Sequence, residues 1–135
     1  MKITVYTRAY NAEKYISKCV ESVLEQSFRD FEYFIVDNGS TDGTRKLLED
    51  YAKKDGRIRL TRLEKNTRNV TFSYMREFKG ELVTQLDADD WWGPGFLERM
   101  ISFLEKEQLD IAVTGTVNYF EHDGSSRILR KLDQP

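Results

Sequence analysis

Apolar and polar positions follow two rhythms along this chain, and the rhythms alternate. Ile3-Thr4-Val5-Tyr6 is a short β-branched and aromatic run that predicts a strand. Ile16, Cys19, Val20, Val23 and Leu24 then recur at helical spacing, the stripe of an amphipathic helix with one face on a sheet, with Asn11 as its N-cap. Phe31 to Asp37 predicts a second strand, and its apolar end Phe34-Ile35-Val36 suits a position covered on both faces. Ser40 or Thr41 caps a second helix with Leu47, Leu48, Tyr51 and Ala52 on its apolar side.

The alternation continues. Ile58 to Leu63 predicts a third strand, crowded by charges, and Glu49 to Arg59 a solvated helix end and turn. Val70 to Lys79 predicts a helix with Phe72, Met75 and Phe78 inward, closed by Gly80. Leu82 to Leu86 is a strand, followed by an acidic turn and a helix that starts at Pro94 and carries Phe96, Leu97, Met100, Ile101 and Leu104. Ile111 to Val117 predicts a further strand. From Asn118 the text is hairpin-like, with His122-Asp123-Gly124-Ser125 as its turn. The expected division is therefore residues 1–117 and a C-terminal extension, 118–135.

Strand–helix alternation implies a three-layer α/β/α sandwich with a mostly parallel sheet. Ligands of such sheets bind beyond the carboxyl ends of the strands. That rule selects Thr7 to Asn11, Asp37 to Asp42, Asn66 to Asn69 and Asp87 to Trp92, which all follow strands. A net charge of −2 argues against a phosphate-backbone partner, so no nucleic acid is expected. One cysteine, Cys19, permits no intrachain disulfide and favours a reducing compartment. No apolar run approaches the length that crosses a bilayer, so a cytoplasmic location is expected, including the inner face of a membrane.

The strongest chemical signal is Leu86-Asp87-Ala88-Asp89-Asp90-Trp91-Trp92. Carboxylates this close repel one another unless a cation or donors lie between them. Mg²⁺ or Mn²⁺ takes oxygen ligands and keeps positions for phosphate oxygens. The plainer alternative is a solvated acidic turn before the helix. Val36-Asp37-Asn38-Gly39-Ser40-Thr41-Asp42-Gly43-Thr44 is a strand end, a glycine turn and a helix start. Asp37 and Asn38 offer groups to a base edge there, or else form an Asx-turn, with Ser40 or Thr41 closing the helix. Of Trp91 and Trp92, one is expected to pack under the acidic loop and the other to line a sugar site. His122 and Cys19 read as structural.

These motifs resemble, in order and spacing, those of family 2 glycosyltransferases with the GT-A fold. The resemblance rests on Tyr10-Asn11, on Asp37 to Thr44, and on Lys79-Gly80-Glu81 leading into Leu86 to Trp92, and covers roughly residues 1–117. It implies a nucleotide diphosphosugar donor with uracil as the common base, a divalent metal, and inverting transfer to a saccharide or other hydroxyl acceptor. Carried over, the nucleotide would meet Thr7, Arg8, Ala9, Tyr10, Asp37, Asn38, Arg68, Asp87 and Ala88. Asp87 would lie near the ribose, and Asp87 and Asp89 would be the metal residues.

Arg8 stands where the family usually has proline, and Asn38 where it often has a second aspartate. Asn66-Thr67-Arg68-Asn69-Val70 replaces the family's glycine-rich Ala-Arg-Asn stretch. Complete members are longer, so the catalytic base is expected after Pro135, and apolar surface toward that half is expected to favour homo-oligomers. The competing reading is a sugar-nucleotide-binding module without its own base. A dinucleotide oxidoreductase is disfavoured because no G-x-G-x-x-G follows the first strand.

Overall fold

A computed structural model describes residues 1–68, 70–114, 116–120 and 124–130. Four strands, β1 (Ile3–Ala9), β2 (Phe31–Asp37), β3 (Ile58–Arg62) and β4 (Leu82–Gln85), form a parallel sheet in the order β3-β2-β1-β4. β2 is buried along its whole length, as its apolar run requires of an inner strand. β1 is likewise buried except at Arg8. Helices α1 (Ile16–Leu24), α2 (Thr44–Lys54), α3 (Val70–Tyr74) and α4 (Phe96–Glu107) connect or follow them. The chain divides into two compact units, Met1–Glu98, which holds this sheet, and Arg99–Pro135.

The stripe on α1 does what its spacing predicts, since Ile16, Cys19, Val20 and Val23 are all buried. Side chains of Tyr6, Phe34, Val36 and Val70 form a core cluster flanked by Leu63, Tyr74 and Phe78. Within it Phe34 meets Phe78 edge-on, with ring centroids 5.3 Å apart.

Several local expectations are corrected. The helix expected over Val70 to Lys79 is α3 followed by a 3-10 turn, Met75–Glu77, with Phe78 extended. Met75 is half exposed, and Phe78 alone of the described pair turns to the core. Gly80 is not a helix cap. A Cβ there would collide with the backbone nitrogen of Thr4, and its N–H donates to Thr4 Oγ1 at 2.9 Å. Its role is close approach to the start of β1. Pro94 and Gly95, the latter at φ 71°, precede α4 rather than open it.

In the second unit the strand expected over Ile111 to Val117 is displaced. Residues 111–114 are irregular, and Ile111 and Val113 are exposed. β5 (Thr116–Phe120) pairs antiparallel with β6 (Ser125–Arg130), so ladder hydrogen bonds are available from Thr116 onward. One strand therefore crosses the expected 117/118 boundary. Asn69, His122, Asp123 and the side chain of Phe72 lie outside the described residues.

Glu32 is the buried charge at the opposite end of the sheet from the loops of interest. It accepts hydrogen bonds from Thr4 Oγ1 at 2.7 Å, the Lys79 N–H at 2.6 Å and Arg59 Nη1 at 3.1 Å. Burial pushes its carboxyl up, but the Lys79, Thr4 and Arg59 donors outweigh this and hold it below the ordinary value. The resulting stabilisation is complete above the usual carboxylate range and disappears as pH falls through the depressed native value. Glu32→Gln should therefore cost about 2 kcal/mol in urea unfolding at neutral pH. The gap from wild type should shrink in acid, and a gap independent of pH would show that ionisation of Glu32 does not matter.

Candidate functional site

The parallel register sets Ala9 beside Asp37 and Asp37 beside Arg62, so the strands release their following loops at one edge. β4 reaches the same edge as the Leu86 N–H donates to the Tyr6 carbonyl at 3.0 Å. The loops are then knitted to one another. Asn11, at φ 47°, donates its N–H to Ser40 Oγ at 3.1 Å, and its Oδ1 accepts the Thr41 N–H at 2.9 Å. The Ala12 N–H donates to Thr44 Oγ1 at 2.8 Å and the Glu13 N–H to Asp42 Oδ2 at 3.2 Å. Glu13 Oε2 in turn accepts the Gly43 N–H at 3.0 Å.

This clasp corrects the capping expectations. α1 begins after Tyr15 with no side-chain cap, four residues beyond Asn11. α2 begins after Gly43, and neither Ser40 nor Thr41 caps it. Asp42 instead accepts the Thr44 N–H at 3.0 Å. Burial pushes the Asp42 carboxyl up, and donors from Thr44 and the Glu13 backbone bring it below its ordinary value.

At the end of β2, Asp37 is fully buried. Its Oδ2 lies 2.9 Å from Arg45 Nε, and its Oδ1 accepts the Ser40 N–H at 3.0 Å. Arg45 Nη2 also donates to the Leu63 carbonyl at 3.0 Å, which joins β2, α2 and the segment after β3. Sequence reasoning missed Arg45. The signal was a guanidinium in the first turn of a helix that follows a buried aspartate. Asn38 is also enclosed, and its amide bonds Asn66 and Thr67.

The acidic loop is anchored from beneath. Thr7 Oγ1 donates to the Leu86 carbonyl at 2.7 Å, and Cys19 Sγ donates to the Asp87 carbonyl at 3.4 Å. Leu86 and Ala88 are buried, whereas Asp87, Asp89 and Asp90 are exposed. Asp87 Oδ1 accepts from Gln85 Nε2 at 3.0 Å. Burial, then the charges of Asp89 and Asp87, push the Asp90 carboxyl above its ordinary value. Trp92 stacks on Phe96 at 4.5 Å, and Lys18 Nζ lies 3.2 Å from the ring centroid of exposed Trp91. Gln26, another residue missed from sequence, is buried and accepts the Leu97 N–H at 3.0 Å while donating to the Gly93 carbonyl at 3.0 Å.

Of the residues expected to meet a ligand, Arg8, Tyr10, Arg68, Asp87 and Asp89 are exposed. Thr7, Ala9, Asp37, Asn38 and Ala88 are buried, and the polar side chains among them bond the protein itself. Among the described residues no three His, Cys, Asp or Glu side chains converge as a ready metal nest. Exposed, crowded oxygen donors still fit a hard cation that binds through one or two carboxylates and takes its remaining ligands from phosphate and water.

Residues 4–132 match the model of the family described as glycosyl transferase family 2. The chain belongs to that family. Among curated relatives, the glycosyltransferase TuaG of Bacillus subtilis (strain 168), provisionally assigned to teichuronic acid biosynthesis, is 39% identical over 84% of this chain and 46% of its own length. Among solved structures, S. aureus TarS with UDP-GlcNAc superposes at a TM-score of 0.75 with 26% identity, over 99% of this chain and 37% of that one. The Pyrobaculum calidifontis mannosyltransferase PcManGT, solved with GDP-Man and Mn²⁺, gives 0.66 and 27% over 76% and 32%. This family 2 chain thus has the GT-A fold and spans less than half the length of each of these proteins.

The family 2 site has a testable floor. Burial pushes the Cys19 thiol up from 9.0 to about 11, and the side chain is fully enclosed between Tyr33 and the acidic loop. Iodoacetamide at mildly alkaline pH should leave Cys19 unmodified in the native protein and alkylate it rapidly in urea. Fast native alkylation, read by intact mass, would mean that the acidic loop opens readily.

Proposed function

We propose that this chain is the donor-binding part of an inverting glycosyltransferase, taking a nucleotide diphosphosugar, with UDP as the favoured nucleotide, together with Mn²⁺ or Mg²⁺. The observation that carries this reading is the acidic loop, whose backbone is pinned to Thr7 of β1 and to Cys19 of α1 while Asp87 and Asp89 remain exposed. The UDP-GlcNAc and the GDP-Man with Mn²⁺ in the two structural neighbours support it.

In this reading Asp89 holds the metal, Asp87 lies toward the ribose and shares the metal site, and Arg8, Tyr10 and Arg68 flank the nucleotide. Bound metal would neutralise the charge that develops on the departing diphosphate. The acceptor hydroxyl attacks the anomeric carbon as the bond to the diphosphate breaks, which inverts that centre, and its proton passes to a base. The chain's own contribution is to fix the donor: the clasped loops form its floor, and a cation would relieve the repulsion among Asp87, Asp89 and Asp90, which adds to burial in raising the Asp90 carboxyl.

Thermal shift in the presence of UDP tests the metal role. A ligand that binds only the native state at about 100 times its Kd stabilises it by roughly 2.7 kcal/mol. UDP should raise Tm more with Mn²⁺ than with EDTA, and Asp89→Ala should erase that increment without lowering the Tm of the unliganded protein. Equal UDP shifts with and without metal in the wild type would sink the metal assignment. A parallel titration addresses Arg8, where the family's usual proline makes no charged contact. Arg8→Ala should weaken UDP binding about fivefold, the size expected of one exposed charge-assisted hydrogen bond. Unchanged affinity would return Arg8 to the solvent-facing surface.

A further inference from the structure

We infer that Asn38 is a positioning residue, a clamp on the segment that follows β3 rather than a side-chain contact to the base. Its importance for nucleotide binding rests on the reading proposed above, whereas the clamp itself rests on geometry. Asn38 is 1% exposed and immediately follows β2. Its Nδ2 donates to Asn66 Oδ1 at 2.8 Å and to the Thr67 carbonyl at 3.1 Å, and its Oδ1 accepts the Thr67 N–H at 3.0 Å. One amide thus takes both backbone groups of Thr67, as a neighbouring strand would, and both of its own donor hydrogens are spent.

Gly39 adds an independent contact. It sits at φ +78°, and a Cβ built there would lie 2.6 Å from the Lys65 carbonyl carbon and 2.7 Å from the Asn66 nitrogen. The backbone of Lys65 and Asn66 is therefore seated directly on the turn after β2. Two consecutive residues of one loop hold three consecutive residues of another, and buried Val70 anchors the chain beyond them. Exposed Arg68 lies between those fixed points, so the clamp sets where its backbone sits.

The side chain must be an amide. A carboxylate of the same shape has no donor, so it would face the Thr67 carbonyl as one acceptor against another. Turning the Asn66 amide over would give a carboxylate one partner and still leave that carbonyl opposed. Asparagine at position 38 is thus matched to Asn66-Thr67, and these two departures from the family's usual pattern belong together. Both Asx side chains at this strand end serve the protein: Asp37 binds Arg45, and Asn38 binds the next loop.

UDP affinity and amide exchange at Thr67, measured on the folded chain with Mn²⁺, separate a clamp from a base contact. The variants are Asn38→Asp, Asn38→Ala and Asn66→Ala. The clamp predicts that Asn38→Asp, although isosteric, weakens UDP binding about tenfold and speeds exchange of the Thr67 N–H by at least a similar factor. Asn66→Ala removes one exposed acceptor and leaves β2 untouched, so it folds even if the Asn38 variants do not. It should shift both readings the same way by a smaller factor. A direct base contact predicts the opposite for Asn38→Asp: UDP binds as well or better, because the acceptor is kept, and Thr67 stays protected. That result overturns the clamp. If the wild type binds no nucleoside diphosphate, the proposed function fails on its own, and Thr67 exchange still decides the clamp. Protection unchanged in both Asn66→Ala and Asn38→Ala overturns it in either case.

Discussion

The parallel register of β1 with β2 is the constraint on which the rest of this architecture depends. By setting Ala9 level with Asp37, it brings two loop exits side by side at a buried edge. Polar groups of the two loops face one another there, and the buried ones, such as Thr44 Oγ1, would each cost on the order of 1–3 kcal/mol if left unpaired. They find partners in one another. Asn11 bonds Ser40 and Thr41, Ala12 bonds Thr44, and Glu13 exchanges bonds with Asp42 and Gly43. The same demand is met at Asp37 by Arg45 and beneath the acidic loop by Thr7 and Cys19. A braced floor follows from these bonds, buried at Thr44, Asp37 and Thr7 and exposed at Asn11, Glu13 and Asp42, before any ligand is considered.

That origin explains what could be read from the sequence. Strand β2 was legible residue for residue, because a continuous apolar run ending in Asp37 carries its own burial signal. The stripe on α1 was legible for the same reason, since its periodicity is local. The caps were not. Asn11, Ser40 and Thr41 have the chemistry of cap residues, but their hydrogen bonds run across 29 or 30 positions to another loop. Local preference names the residue types and leaves the partner open. Ile111 and Val113 failed differently: β-branched spacing predicts a strand, yet a strand exists only where a neighbour offers a ladder, and β6 offers one from Thr116.

The site was legible as a set of segments and less so as a set of contacts. The rule about strand ends selected loops that the parallel register brings to one edge, and the acidic loop is among them with Asp87 and Asp89 exposed. Family resemblance then assigned contacts to Thr7, Ala9, Asp37 and Asn38, whose side chains are enclosed. Exposure is a tertiary property that no motif spells out. Gln26 makes the same point in reverse. A polar residue at the end of α1 looks solvent-facing in sequence, yet it is buried and holds the backbone that leads into α4.

A division of labour follows at this edge. Side chains that are spent internally cannot also adapt to a ligand without breaking the bonds that fix the loops. Under the proposed function, selectivity from the buried set would therefore act through shape, by deciding where backbone groups and the exposed side chains sit. The exposed set differs in kind. Asp87, Asp89 and Asp90 are concentrated in one turn, where burial first, and then the charges of Asp89 and Asp87, raises the Asp90 carboxyl. A surface turn selected for stability alone would disperse such charges or pair them with the chain's own cations. Holding their backbone rigid from beneath, through Thr7 and Cys19, keeps the carboxylates from relaxing apart. An anchored cluster of like charges suits the cation proposed above, and the buried amide of Gln26 holds the backbone that follows it at Gly93.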